Sequence, residues 1–189
     1  MSQEFARGYL DRLAALFKKL SLEQVKEVID TIFDAYEQGR SIFIMGNGGS
    51  GATASHFACD LNKGVSFGLK KRFRVTCLND SLPIMLACAN DFSYQEIFVE
   101  QLKNFLKPGD VVIGLSGSGN SKNVLKAFKY ANSKKAVTIG MSGFNGGRLA
   151  LLSKVSLVVK SNDMQQIEDV HLIVTHIIMQ YFYRKLREK

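Results

Sequence analysis

A histidine and a carboxylate stand four residues apart shortly after the first glycine-rich segment of the chain. They are His56 and Asp60. On a helix that begins at Ser50, this spacing puts both side chains on one face, where an imidazole and a carboxylate can bind one metal ion or work as an acid/base pair. A surface histidine beside a carboxylate is also routine at this spacing. From these residues alone, both interpretations stay open.

A second group of titratable residues lies in the last apolar stretch of the sequence. Its members are Glu168, Asp169, His171 and His176. On a helix, His171 and His176 differ by about 140°, so they cannot both face one site, and one of them is predicted to be structural. Asp169 shares a face with His176 at about 20°, against about 80° for Glu168. The apolar neighbours of His176 are more typical of a hydrogen-bonded core histidine than of a ligand.

Two apolar segments run into loops of small polar residues. Ile42–Met45 leads to Gly46-Asn47-Gly48-Gly49-Ser50, and Val111–Leu115 leads to Ser116-Gly117-Ser118-Gly119-Asn120-Ser121. Beyond the carboxyl ends of parallel strands, backbone N–H groups and hydroxyls can surround an anion at a helix N-terminus. The second loop therefore predicts a phosphate site, although such a loop is as often an ordinary turn. Since it lacks a Walker lysine and neither loop matches GxGxxG in full, a phosphorylated small molecule fits better than a nucleotide.

The elements that must position these residues alternate along the chain. Helical spacing predicts one helix over Phe5–Leu20, and Ser21 with Gln24 forms a capping box for a second helix that stops at Gly39. The predicted strands are Ile42–Met45, Val75–Leu78, Val111–Leu115, Ala136–Met141 and Val155–Val159. A long helix from about Gln166 to Lys185 closes the chain. The pattern predicts an α/β fold, a five-stranded parallel sheet with helices on both faces, and one domain over residues 1–189.

Composition excludes several classes of protein. With 189 residues, 46% of them hydrophobic, and only two prolines, long disorder is not expected. No apolar run approaches the ~20 residues that cross a bilayer. Charges interrupt the first 20 residues, so no signal peptide is indicated and a cytoplasmic location is expected. Cys59, Cys77 and Cys88 are widely spaced and are expected to be free residues of the core.

Four motifs, in combination and in order, resemble the sugar isomerase (SIS) family and, within it, the phosphoheptose isomerases. They are Gly46-Asn47-Gly48-Gly49-Ser50 with His56 and Asp60, Ala89-Asn90-Asp91-Phe92, Ser116 to Ser121, and Ile167-Glu168-Asp169-Val170-His171 followed by His176. The similarity covers nearly the whole chain. It implies conversion of sedoheptulose 7-phosphate to D-glycero-D-manno-heptose 7-phosphate for surface-polysaccharide synthesis. It also implies a homotetramer, with one zinc per subunit, active sites between subunits, and residues 1–38 used in oligomer packing.

The resemblance also implies a role for each matching residue. The phosphate would be bound by Ser116, Gly117, Ser118 and Ser121. The rest of the substrate would be contacted by Asn47, Gly48, Ser50, Asp91 and Glu168. The zinc would be held by His56, Asp60, Glu168 and His176. Asp60 and His176 would in addition be the catalytic residues.

This chain departs from the family pattern at four positions. Asp60 stands where the family usually has a glutamate, Glu168 where it has a glutamine, Gly64 where it has an arginine, and Gly117 where it has a threonine. The departures leave the sugar and the identity of the catalytic base open. One alternative is an SIS isomerase for another phosphorylated ketose. The other is a non-catalytic SIS protein that binds a replication initiator, although such a protein would not need His56, Asp60 and His176.

The chain carries 25 Lys and Arg against 17 Asp and Glu, a formal net charge of +8. A basic surface attracts nucleic acid, anionic lipid or phosphorylated metabolites. Since no helix-turn-helix or basic-aromatic pattern organises these residues, neither nucleic acid nor a membrane is expected as a partner. We expect the charge to steer an anionic sugar phosphate toward the site, with Lys63 as the positive residue closest to it.

Overall fold

Five parallel strands form a sheet through the centre of the molecule. We describe a computed structural model over residues 1–188. The strands are β1 (Ser41–Gly46), β2 (Arg74–Cys77), β3 (Val111–Ser116), β4 (Val137–Gly143) and β5 (Val155–Val159). Their order across the sheet is β2-β1-β3-β4-β5. The residues of β3 are all buried, as expected for a parallel strand that helices cover on both sides. The predicted five-stranded parallel sheet is confirmed.

Helices cover both faces of this sheet. They are α1 (Ser2–Phe17), α2 (Leu22–Glu37), α3 (Gly48–Cys59), α4 (Leu82–Asp91), α5 (Val99–Phe105), α6 (Lys122–Ser133), α7 (Gly147–Leu152) and α8 (Met164–Lys185), with a π-helix at Asp60–Val65. One apolar core lies between the sheet and α1, α2, α3 and α8, and a second lies between the sheet and α4 to α7. The two predicted N-terminal helices and the long C-terminal helix are confirmed.

The starts of α2 and α8 have side-chain caps. The hydroxyl of Ser21 accepts a hydrogen bond from the backbone N–H of Gln24 at 3.2 Å, as the capping-box pattern predicts. At the start of α8, a carboxylate oxygen of Asp163 accepts from the N–H groups of Gln165 and Gln166 at 3.1 and 3.4 Å. These bonds satisfy donors that have no partner within the helix itself.

The strand order brings the carboxyl ends of β1 and β3 together. In the register of these two strands, Gly46 lies opposite Leu115. After β1 the chain enters α3 on one face of the sheet, and after β3 it enters α6 on the other face. A crevice therefore opens between the two strand ends, at the position where open α/β sheets bind ligands.

Two of the three cysteines have the predicted burial. Cys77 and Cys88 are buried, and burial raises the pKa of the Cys77 thiol to about 12. The prediction for Cys59 is wrong, because this last residue of α3 is exposed while its neighbour Ala58 faces the core. Within residues 1–188, none of the helices combines the length and apolar character that crossing a bilayer would require.

A single side chain pairs with the open edge of β2. The carboxamide of Asn62 donates to the carbonyl oxygen of Val75 at 2.8 Å and accepts from the N–H of Val75 at 3.3 Å. These are the bonds that a further strand would make. Asn62 therefore satisfies the backbone of the edge strand and keeps that position from pairing with another chain.

We expect Asn62→Ala to lower the free energy of unfolding by about 1–3 kcal/mol, since it leaves a buried N–H and carbonyl without partners. Urea denaturation of the variant measures the loss. The matched control is Asn104→Ala, which removes an exposed asparagine of α5. Equal stability of the two variants would contradict the role of Asn62.

Candidate functional site

Three titratable side chains from separate elements meet at the C-terminal end of α3. The Nε2 atom of His56 lies 2.9 Å from Nε2 of His176 and 3.3 Å from Oδ2 of Asp60. The potential ligand atoms of all three lie within 4.8 Å of one another. The structure thus brings His56 and Asp60 to one face, as their spacing predicts, and adds His176 from a helix 120 residues away in sequence.

The local path of the chain after His56 is a π-helix that begins at Asp60. In this segment the N–H of Ser66 donates to the carbonyl oxygen of Leu61 at 3.3 Å, an i to i+5 bond. Such wide turns are frequent at functional sites. At Gly64, the Cε atom of Met179 lies 2.8 Å from the position that a Cβ would take. A methionine of α8 therefore packs beside Gly64, the position at which the family pattern has an arginine.

The two histidines of α8 have different environments. His171 is 1% exposed, and its Nε2 atom faces the carbonyl oxygen of Ser142 at 3.2 Å. Burial lowers the pKa of His171 to about 4, so this side chain is neutral near pH 7. It is the structural histidine of the pair. His176 is partly buried and faces His56, so the expectation that apolar neighbours place it in the core is wrong.

Of the two adjacent carboxylates on α8, Glu168 faces the crevice. Its Oε2 atom lies 2.6 Å from the position that a Cβ would take at Gly49, so a larger residue there would require the Glu168 side chain to move. Asp169 instead accepts a hydrogen bond from the hydroxyl of Tyr9 in α1 at 2.6 Å, which raises the pKa of Tyr9 to about 12. The preference that helical spacing gave to Asp169 is wrong.

The geometry of α3 and α8 explains this outcome. The two helices lie side by side, with Glu168 opposite Gly49 and His176 opposite His56. Glu168 and His176 are about 80° apart around α8, so the contact does not follow one line of side chains. They are also separated by roughly 12 Å along the helix. Accordingly, Glu168 does not belong to the cluster of three potential ligands.

The serine loop after β3 has its hydroxyls close together. The Oγ atoms of Ser116 and Ser121 lie 2.9 Å apart, and Oγ of Ser118 accepts from the N–H of Asn120 at 3.2 Å. Ser121 is the N-cap residue of α6, but its side chain does not cap the helix. At Gly117, the Sδ atom of Met164 lies very close to the position of a Cβ, so the threonine of the family pattern would require this methionine side chain to move.

The loop after β1 contributes the other predicted substrate contacts. Asn47 is the N-cap residue of α3, yet its carboxamide bonds to Asn123 and Tyr94 rather than to its own helix. Gly48 is exposed in the first turn, whereas Ser50 is 5% exposed. The spacing patterns give no signal for Asn123 or Tyr94, because only the strand order brings them to Asn47.

Two further predicted residues lie outside this cluster. Asp91 ends α4 and is exposed, with Oδ1 accepting from Nδ2 of Asn90 at 2.9 Å. Lys63 is exposed on the π-helix, three residues after Asp60. The structure does not bring Asp91 to the cluster of His56, Asp60 and His176.

The cluster has a donor set that suits zinc. Two imidazoles and one carboxylate are common zinc ligands, and a site with three protein ligands keeps a position for water or substrate. Ligand atoms about a tetrahedral zinc are roughly 3.3 Å apart. The distances of 2.9 and 3.3 Å from Nε2 of His56 are close to this value. The three side chains therefore fit such an ion after small adjustments.

Comparison with known families matches residues 5–143 to the SIS domain. The chain belongs to the SIS domain family. It is 34% identical over 185 residues to the phosphoheptose isomerase of Helicobacter pylori, covering 97% of this chain and 96% of that protein. It is 36% identical over 173 residues to the probable phosphoheptose isomerase of Thermoplasma acidophilum, covering 92% and 94%.

A solved structure of an SIS relative has the same architecture. The phosphoheptose isomerase from Neisseria gonorrhoeae superposes with a TM-score of 0.89 at 25% identity, covering 96% of this chain and 98% of that one. The family that the four motifs predicted is therefore confirmed, together with the parallel SIS fold.

We expect the stability of this SIS protein to fall as the pH drops from about 6.5 to about 4, because the folded pKa of His171 lies below its ordinary value of 6.5. In this window the unfolded chain binds the proton and the folded chain does not. Within the window, the free energy of unfolding falls by up to about 1.4 kcal/mol per pH unit. Above about pH 6.5 the full stability is present. Urea denaturation of the wild type and of His171→Leu measures it. Identical pH slopes for the two proteins would contradict a buried neutral His171.

Proposed function

We propose that the chain is a phosphoheptose isomerase, which converts sedoheptulose 7-phosphate to D-glycero-D-manno-heptose 7-phosphate. The observation that carries this function is that α3, which follows β1, brings His56 to Asp60 and His176, while the hydroxyls of the serine loop lie together at the end of the neighbouring strand β3. The relatives with this name match the chain over more than nine-tenths of its length. The chain is accordingly an aldose–ketose isomerase, an intramolecular oxidoreductase.

The phosphate group binds at the N-terminus of α6, between Ser116, Ser118 and Ser121. Two helices, α3 and α6, begin at the crevice, and neither has a side-chain cap. Both therefore offer backbone N–H groups and the positive end of a helix dipole. The carboxylate of Glu168 already lies at the start of α3 and would repel a phosphate there. The start of α6 is left for the anion.

The sugar chain extends from the phosphate toward the α3 side of the crevice. Asn47 and Gly48 lie at the start of α3, where they contact hydroxyl groups, and Ser50 lines the first turn. Glu168 accepts a hydrogen bond from a sugar hydroxyl. Asp91 is exposed at the end of α4, and it contributes to a substrate site at a contact between subunits.

Zinc is the metal that the cluster would hold, through His56, Asp60 and His176. The expected further ligand, Glu168, faces Gly49 instead, and its side chain would have to turn along α8 to reach the ion. When bound, zinc polarises the carbonyl and hydroxyl oxygens at C1 and C2 of the sugar. A second candidate substrate is another phosphorylated ketose. It is favoured by the absence of an arginine at Gly64, where Met179 packs instead.

Proton transfer is the work of Asp60 and His176. The carboxylate of Asp60 removes a proton from C1 of the ketose, which leaves an enediolate across C1 and C2 with the negative charge on O2. The hydroxyl proton on O1 passes to O2 and His176 gives a proton to C2, so that the carbonyl moves to C1. Transfer of the proton from Asp60 to His176 then restores both groups. Binding energy from the distant phosphate holds C1 and C2 against these groups.

The oligomer is a homotetramer in the cytoplasm that serves heptose and surface-polysaccharide synthesis, and residues 1–38 take part in its packing. Two exposed large apolar side chains of α1 support this, with Phe5 71% exposed and Leu10 62% exposed. A groove of about 750 Å³ runs along the exposed side of α8 beside His176. A second subunit that covered these surfaces would also close the site from water.

We expect Asp60→Asn and His176→Gln to reduce turnover of sedoheptulose 7-phosphate about 10²- to 10⁴-fold, because each removes a group that exchanges a proton with the substrate. Product formation by the purified wild type and variants measures the loss. The matched control is Asp34→Asn, on an exposed face of α2. Near-normal rates in both site variants would overturn the mechanism, and an inactive wild type would overturn the substrate.

We expect the wild type to bind one zinc per subunit, and His56→Ala to weaken zinc binding roughly 100-fold, because one of the three clustered ligands is lost. Titration with zinc in a competing chelator measures the affinity. Cys59→Ala is the matched control, since this exposed thiol next to Asp60 is a potential adventitious ligand. Weaker binding by the cysteine variant alone would place the zinc outside the proposed cluster.

A further inference from the structure

Two asparagine side chains from opposite faces of the sheet form a closed pair in the crevice. Nδ2 of Asn47 donates to Oδ1 of Asn123 at 3.0 Å, and Nδ2 of Asn123 donates back to Oδ1 of Asn47 at 2.8 Å. Asn47 is partly exposed at the start of α3, while Asn123 is 2% exposed in the first turn of α6. The pair therefore joins the two helices whose N-termini form the proposed site.

A hydrogen bond from the backbone fixes the positions of the amide oxygen and nitrogen in both side chains. The N–H of Val124 donates to Oδ1 of Asn123 at 2.9 Å. If the oxygen and nitrogen of Asn123 exchanged places, two N–H groups would face each other in a buried position, which is unfavourable. Since Asn123 is fixed, the closed pair also fixes Asn47.

The third partner of Asn47 is the hydroxyl of Tyr94, which donates to Oδ1 of Asn47 at 3.0 Å. Oδ1 then accepts from two donors and its lone pairs are filled. Nδ2 uses one of its two hydrogens on Asn123. Among the partners that residues 1–188 provide, this leaves one polar group of the side chain, the second N–H of Nδ2, for a ligand.

We propose that Asn123 and Tyr94 are positioning residues, which hold the carboxamide of Asn47 so that its free N–H is offered to an oxygen of the bound sugar phosphate. This inference rests on the proposed function and adds two residues that do not themselves contact the substrate. Without these two partners, the carboxamide of Asn47 could also turn its Oδ1 atom toward the sugar. In that orientation the hydrogen bond from Nδ2 would be lost, and Oδ1 would repel a carbonyl oxygen.

A double-mutant cycle tests the inference. We expect Asn47→Ala and Asn123→Ala each to lower kcat/KM for sedoheptulose 7-phosphate roughly tenfold, the equivalent of one hydrogen bond. The double variant is expected to be no worse than Asn47→Ala alone, because Asn123 acts only through Asn47. The matched control is Asn132→Ala, at the other end of α6, whose effect should be the same with and without Asn47.

Tyr94→Phe keeps the test decisive if Asn123→Ala fails to fold. Tyr94 is 56% exposed, so the loss of its hydroxyl leaves the core intact. We expect a loss of about threefold in kcat/KM, and no loss in the Asn47→Ala background. Effects at positions 94 and 123 that multiply with the effect at position 47 would overturn the positioning role while the wild type remains active. An inactive wild type would overturn the proposed function instead.

Discussion

The side-by-side pairing of β1 and β3 is the constraint on which the site depends. Because all five strands are parallel, their carboxyl ends share one edge, and the order β2-β1-β3-β4-β5 makes the first and third strands neighbours there. The chain leaves these two strands toward opposite faces of the sheet, so α3 and α6 diverge from one point. This divergence places α3, which carries His56, and α6, which follows the serine loop, on opposite sides of the crevice.

The divergence of α3 and α6 separates a side of the crevice that carries a carboxylate from a side that offers uncharged hydrogen-bond donors. On the α3 side, α8 supplies His176 next to His56, and the carboxylate of Glu168 lies at the helix start. On the α6 side, an uncapped helix start and three serines offer hydrogen-bond donors without a competing carboxylate. A substrate with a phosphate at one end and a reactive carbonyl at the other matches this arrangement. The formal charge of +8 then contributes a general attraction rather than a specific contact.

Much of the fold was predictable because short runs of valine and isoleucine between helical segments admit few other arrangements. Periodicity also separated His171 from His176, since two side chains about 140° apart cannot share a site. It failed for Asp169 and Glu168, because helical angles relate residues of one helix to one another but do not say which neighbouring helix each will meet. The bond from Asp169 to Tyr9 involves a helix 160 residues away, and no local pattern encodes it.

The same limit explains why Asn123 and Tyr94 escaped the sequence-based predictions. Asn123 lies 76 residues from Asn47, and an asparagine in the first turn of a helix is ordinarily interpreted as a local cap. The departures at Gly64 and Gly117 were visible in the sequence, whereas their surroundings were not. At each position a methionine of α8, Met179 or Met164, packs close to where a Cβ would lie.

The central claim is that one substrate bridges the two strand ends in a single orientation. A crystal structure of the protein with sedoheptulose 7-phosphate bound tests this directly, and Asp60→Asn can be used to slow turnover in the crystal. The account predicts the phosphate against Ser116, Ser118 and Ser121, with C1 and C2 beside His176 and position 60. A phosphate bound elsewhere, or a sugar whose carbonyl end points away from His176, would contradict it.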